Sequence, residues 1–114
     1  MKATIWHNPR CSKSRQALAI LQETPGVDVD IYEYLKAAPA RGKIEAVLAK
    51  ADVAPSQAVR KGEDVVRDIG LDTSDDAAVL DAMAAHPILI ERPIVITAKG
   101  AVIARPPERL REIL

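Results

Sequence analysis

The chain has 114 residues and a mass of 12.3 kDa, which suits one domain and leaves too little for two. It is 48% hydrophobic and 28% charged, a globular rather than a disordered composition, and sixteen bases against sixteen acids argue against a general nucleic-acid binder. No apolar run is longer than Ala17–Leu21, so no membrane span is expected.

Ala3-Thr4-Ile5-Trp6-His7 alternates and is rich in β-formers, so it predicts a first strand that Asn8-Pro9 breaks. A helix follows with Ala17, Leu18 and Leu21 on one face and Pro25-Gly26 as its stop. Val27, Val29 and Ile31 alternate with Asp28 and Asp30 and predict a second strand running to Tyr34. Strand, helix and strand in this short span form a βαβ unit, whose strands are expected to be parallel.

The middle reads as helical. Ile44, Val47, Leu48 and Ala51 share one helical face, with Pro39 at the entry. Pro55-Ser56 opens a short helix expected to carry Val59 and Arg60, and Val65, Val66 and Ile69 make a third that Gly70 closes. Ser74 is the expected N-cap of a fourth, which carries Val79, Leu80 and Met83 and ends before His86-Pro87. Pro93–Thr97 and Ala101–Ala104 flank Lys99-Gly100 and predict an antiparallel hairpin. Pro106-Pro107-Glu108 then starts a last helix with Leu110, Ile113 and Leu114 on its buried face. With no Phe and 3% aromatics, the core must be built from Ile, Leu, Val and Ala. The order βαβ, helical insert, ββα is that of an α/β, thioredoxin-like fold: a mixed four-stranded sheet with helices on both faces. Residues 1–114 are expected to form a single domain, with the helical insert over approximately 40–86.

Charge is unevenly placed. Residues 1–22 contain Lys2, Arg10, Lys13 and Arg15 but no acid, while the other 92 residues carry twelve bases and sixteen acids. The one cysteine, Cys11, lies in that basic segment, where the first strand gives way to the first helix. The opening N–H groups of a helix lack intrahelical acceptors, and the helix dipole favours an anion there. With Arg10, Lys13 and Arg15 nearby, Cys11 is expected to ionise easily and to act as a nucleophile.

Spacing then removes several chemistries. A cysteine phosphatase loop needs Cys-x5-Arg, but position 17 is Ala17; a dithiol oxidoreductase needs a second Cys where Ser14 stands. A reductase that shuttles a disulfide among its own cysteines needs more than one. A zinc site needs more ligands than Cys11, His7 and the distant His86. A single thiolate remains, forming a substrate adduct that another molecule's thiol must release. No secretory signal is seen at the amino terminus, and the expected compartment is the cytoplasm.

His7-Asn8-Pro9-Arg10-Cys11-Ser12-Lys13-Ser14-Arg15, followed by Val59-Arg60-Lys61, Glu91-Arg92-Pro93-Ile94-Val95 and Ala104-Arg105-Pro106-Pro107, resembles the glutaredoxin-coupled arsenate reductase family (ArsC-like, thioredoxin fold). The likeness runs over essentially the whole chain and is nearest to the subgroup with Cys-Ser-Lys-Ser-Arg after His-Asn-Pro. It implies Cys11 as catalytic nucleophile and Arg60, Arg92 and Arg105 as the groups that hold the oxyanion. Guanidinium groups suit that part, being permanently charged and offering paired donors. The resemblance further implies that His7, with Arg15 in support, helps keep Cys11 ionised, that Ser14 hydrogen-bonds the sulfur, and that Pro93 is cis. Arg41, Arg67, Arg109 and Arg111 read as solvated helix positions.

The activity so implied is reduction of arsenate to arsenite, with glutathione as co-substrate, glutaredoxin as reductant, and no bound cofactor, metal, nucleic acid or membrane. Two other readings stand beside it. Cys-Ser-Lys-Ser-Arg departs from the Cys-Gly-Thr-Ser-Arg of the best-known arsenate-resistance members, which leaves room for a related oxidoreductase acting on another substrate. Some relatives are thioredoxin-like regulators that bind RNA polymerase, but they usually carry Cys-x-x-Cys, which Ser14 breaks.

Overall fold

The computed structural model describes residues 1–114, which divide into two compact units: Met1–Tyr34 with Arg92–Leu114, and Leu35–Glu91. The first unit contains β1 (Lys2–Trp6), α1 (Ser12–Glu23), β2 (Asp28–Tyr32), β3 (Ile94–Thr97), β4 (Gly100–Ile103) and a C-terminal 3₁₀ helix (Pro107–Ile113). Its sheet has the order β2-β1-β3-β4; β1 is parallel to β2 and antiparallel to β3, and β3 is antiparallel to β4. The sheet is mixed and four-stranded, as the order of elements implied.

One face of that sheet holds the core. Ala3 and Ile5 of β1, Val95 of β3 and Val102 of β4 meet Ala17 and Leu21 of α1 and Leu110 and Ile113 of the C-terminal helix. Side chains two apart on a strand share a face, which is why Ala3 and Ile5 point the same way. Burying each Leu or Ile there stabilises by about 1.5–3 kcal/mol. Thr97 Oγ1 donates to the Ile113 carbonyl at 2.6 Å and ties the C-terminal helix to β3. Leu114, expected to be buried, is only half-buried at the chain end. The aromatics gather elsewhere: Trp6 meets Tyr32 edge-on at 5.6 Å and stacks with Tyr34 at 6.5 Å. Trp6 and Tyr34 are both buried.

The second unit is helical: α2 (Arg41–Lys50), α3 (Pro55–Ala58), α4 (Asp64–Asp68), α5 (Asp76–Ala85) and a 3₁₀ turn at Pro87–Leu89. Ile44, Val47 and Leu48 of α2 and Val79, Leu80, Ala82 and Met83 of α5 are its buried residues on those helices. Gly70 ends α4 as expected, with φ +63°, while Gly70 N–H reaches the Arg67 carbonyl and Leu71 N–H the Val66 carbonyl.

Several expectations change: β2 stops at Tyr32 rather than Tyr34, and Ile69 is the C-cap of α4 rather than one of its helical residues. Ala51 is the C-cap of α2 and lies outside its helical run. Val59 and Arg60 are not helical, because Val59 is extended and bridges Ile90, Arg60 N–H donates to the Leu89 carbonyl, and Glu91 N–H donates to that of Ala58. The N-cap of α5 is Asp75, not Ser74: the Ser74 hydroxyl is turned to Asp72 at 2.6 Å, and Asp75 accepts from Ala78 N–H at 3.2 Å. Ser74 also holds the Asp72 carboxyl below its usual range, through that hydroxyl and its own N–H.

Candidate active site

The loop from β1 to α1 is built by Asn8. Its carbonyl accepts from Cys11 N–H at 3.0 Å and its side-chain oxygen accepts from Arg10 N–H at 3.0 Å, closing a tight turn over Pro9. That turn sets Cys11 as the N-cap of α1, in an extended conformation with its carbonyl already accepting from Arg15 N–H. Sequence reasoning treated Asn8-Pro9 only as a strand breaker. An Asn before a turn, able to bond backbone two residues on, was the signal that it also organises the loop.

Cys11 is half-buried, and its thiol pKa lies below the ordinary value. Burial is the largest influence and pushes it up. The Ser14 N–H, the Arg92 charge, the Lys13 N–H and a hydrogen bond from Arg92 outweigh it. Neither N–H closes a full cap hydrogen bond on the sulfur. The decisive side-chain charge therefore belongs to Arg92, which precedes β3 and is distant in sequence. The side-chain charges of Arg10, Lys13 and Arg15, expected from their places in the sequence to ionise the thiol, are not among its main influences. Arg15 is exposed and donates to the Pro9 carbonyl at 2.9 Å, bracing the loop.

His7 and Ser14 form a buried pair behind the cysteine. His7 Nδ1 stands 2.6 Å from Ser14 Oγ, which also accepts from Asn8 N–H at 3.0 Å. The hydroxyl thus serves His7 and the loop backbone, whereas the Ser14 group that acts on the sulfur is its N–H. The imidazole pKa is lowered, first by burial; Glu33 raises it and Arg15 lowers it further. His7 is consequently neutral near pH 7, and its ring hydrogen bond goes to the Ser14 hydroxyl.

Arg92 and Arg105 are joined directly. Arg105 Nη1 donates to the Arg92 carbonyl at 3.2 Å, so the end of β4 is fastened to the start of β3. Both Arg92–Pro93 and Arg105–Pro106 are cis peptide bonds, and Pro93 is buried. Cys11, Arg92, Arg105, His7, Ser14, Arg15 and Pro93 all belong to the first unit. Arg60 belongs to the second, where it pairs with Glu63 at 2.8 Å and approaches the Ile88 carbonyl at 3.5 Å. Sequence reasoning did not single out Glu63. Its i,i+3 spacing from Arg60 was the available signal. Nowhere do three or more His, Cys, Asp or Glu side chains stand together as a metal site.

Residues 6–113 match the ArsC family. Among curated proteins, the chain is 40% identical to an arsenate reductase of Rhizobium meliloti, over all of this chain and 82% of that one. It is 38% identical to an arsenate reductase of Neisseria meningitidis, over 96% of each. Among solved structures, an arsenate reductase from Vibrio cholerae superposes with a TM-score of 0.90 at 36% identity, over all of this chain and 98% of that one. A lowered-pKa cysteine at a helix start, an arginine from the facing hairpin, and this likeness over the full length agree: the chain belongs to the ArsC family.

Proposed function

We propose that this protein is an arsenate reductase in which Cys11 is the nucleophile and glutathione, with glutaredoxin, supplies the electrons. The observation that carries the reading is the half-buried Cys11 thiol, held ionisable by Arg92 and the first N–H groups of α1. The names of relatives matching over the full length support arsenate as the substrate. Arg92 and Arg105 neutralise the oxyanion as the thiolate approaches, which removes the repulsion between two negative species. Arg60 is assigned to the same oxyanion by the family pattern.

In the first step the Cys11 thiolate bonds to arsenic and an arsenate oxygen leaves as water, taking protons from solvent; arsenic remains As(V). Glutathione sulfur then attacks Cys11 sulfur. A disulfide forms, the S–As electron pair stays on arsenic, which becomes As(III), and the thiol proton passes to the departing arsenite. Glutaredoxin exchanges with the Cys11–glutathione disulfide and returns the thiolate. An external thiol is required because no second cysteine is present to resolve the adduct. A free, easily oxidised thiolate with no disulfide partner fits the reducing cytoplasm, where we place the protein. No helix is long and apolar enough to cross a membrane.

Arsenite formation from arsenate, glutathione and glutaredoxin tests the reading. The wild type should turn over and Cys11→Ser should not. Turnover retained in Cys11→Ser would end the mechanism, and a wild type inactive on arsenate would end the substrate assignment.

A further inference from the structure

The basic segment noted in the sequence has a part that thiol activation does not use. Arg10 and Lys13 flank Cys11, each within about 7 Å of it by chain geometry. Both side chains are exposed, and neither makes an ion pair or a side-chain hydrogen bond. Some exposed arginines are paired, Arg67 with Asp68 and Arg109 with Glu112, while Arg111 is unpaired like Arg10. Two uncompensated cations therefore border the reactive sulfur, on a segment of 22 residues that contains no acid.

We propose that Arg10 and Lys13 are the recognition surface for the second thiol, selecting one that carries carboxylates, as glutathione does with two. This rests on Cys11 being the reacting thiol of the proposed function. After the first step the adduct is anionic and the incoming thiol is anionic as well. Cations at the rim draw the pair together and raise the rate of encounter, an effect that salt screens. The chemistry is unchanged: the incoming sulfur attacks Cys11 sulfur and the electron pair of the broken bond leaves with the departing group.

Disulfide exchange isolates the recognition from arsenate chemistry. Cys11 thiolate attacks oxidised glutathione, forming the Cys11–glutathione disulfide and releasing one glutathione thiolate. With bis(2-hydroxyethyl) disulfide the same exchange occurs without carboxylates. For Arg10→Gln/Lys13→Gln, the second-order rate with oxidised glutathione should fall about three- to tenfold, and the gap to wild type should shrink in strong salt. The rate with the uncharged disulfide should be unchanged, which also shows that the variant is folded and its thiolate intact. An equal loss with both disulfides, or no loss with oxidised glutathione, overturns the proposal. Failure of the wild type to make arsenite while this selectivity persists would remove the arsenate assignment and leave the recognition surface standing.

Discussion

Replacing Ser14 by Ala separates two parts that a serine beside a half-buried thiol can play. Ser14 is fully buried, and its hydroxyl serves Asn8 N–H at 3.0 Å and His7 Nδ1 at 2.6 Å, in residues that are themselves 8% and 6% exposed. Ser14→Ala leaves both groups unsatisfied. A buried polar group without a partner costs about 1–3 kcal/mol, so the pair together should cost about 2–6 kcal/mol. That is a large share of the roughly 5–15 kcal/mol typical of a small domain. Urea unfolding should show a lower midpoint with an unchanged slope. The rate of iodoacetamide alkylation against pH reads the thiol in the same samples. Because the Ser14 N–H survives the substitution, the thiol should remain below its ordinary pKa. A stability loss under about 0.5 kcal/mol would refute the hydrogen-bond accounting. A thiol returned to its ordinary pKa with stability intact would place the hydroxyl on the sulfur instead.

Two further outcomes follow from the same site. Arg92→Gln removes the charge that acts on Cys11, so the alkylation profile should move to higher pH and arsenate turnover should fall; an unmoved profile would show that another cation sets the thiol. His7 binds its proton less readily when folded than its ordinary value of 6.5, so the unfolded chain holds more protons between the two values. Stability should therefore rise with pH across that window, being complete above 6.5 and lost as pH falls through the lowered folded value. Urea midpoints across mildly acidic pH should show this slope in the wild type and a flatter one in His7→Gln; equal slopes would remove His7 as its source.

Patterns with a short range were readable and correct. The β-rich run before Asn8-Pro9, the apolar stripe of Ala17 and Leu21, and the two β-branched segments around Lys99-Gly100 each specify an element through neighbours a few residues away. Their boundaries moved by a residue or so: β1 ends at Trp6, although His7 N–H still bonds the Tyr32 carbonyl. Where two local signals competed, the nearer partner won. Ser74 and Asp75 are both good caps, and Asp72 claimed the Ser74 hydroxyl, leaving the helix end to Asp75. Val59 and Arg60 left the helix because Leu89 and Ile90, thirty residues on, offered backbone partners that no periodicity reveals.

The site divides along the same line. The place of Cys11 was legible, since a strand, a breaker and a helix in sequence set it at the start of α1 beside unpaired N–H groups. What ionises it was not, because Coulomb interaction depends on distance through space and not along the chain. Arg10, Lys13 and Arg15 are neighbours by number, yet the sheet pairing that sets β3 beside β1 makes Arg92 the cation that counts. Composition and local pattern were enough to place the thiol at the helix start; naming its electrostatic partner required the chain to be folded.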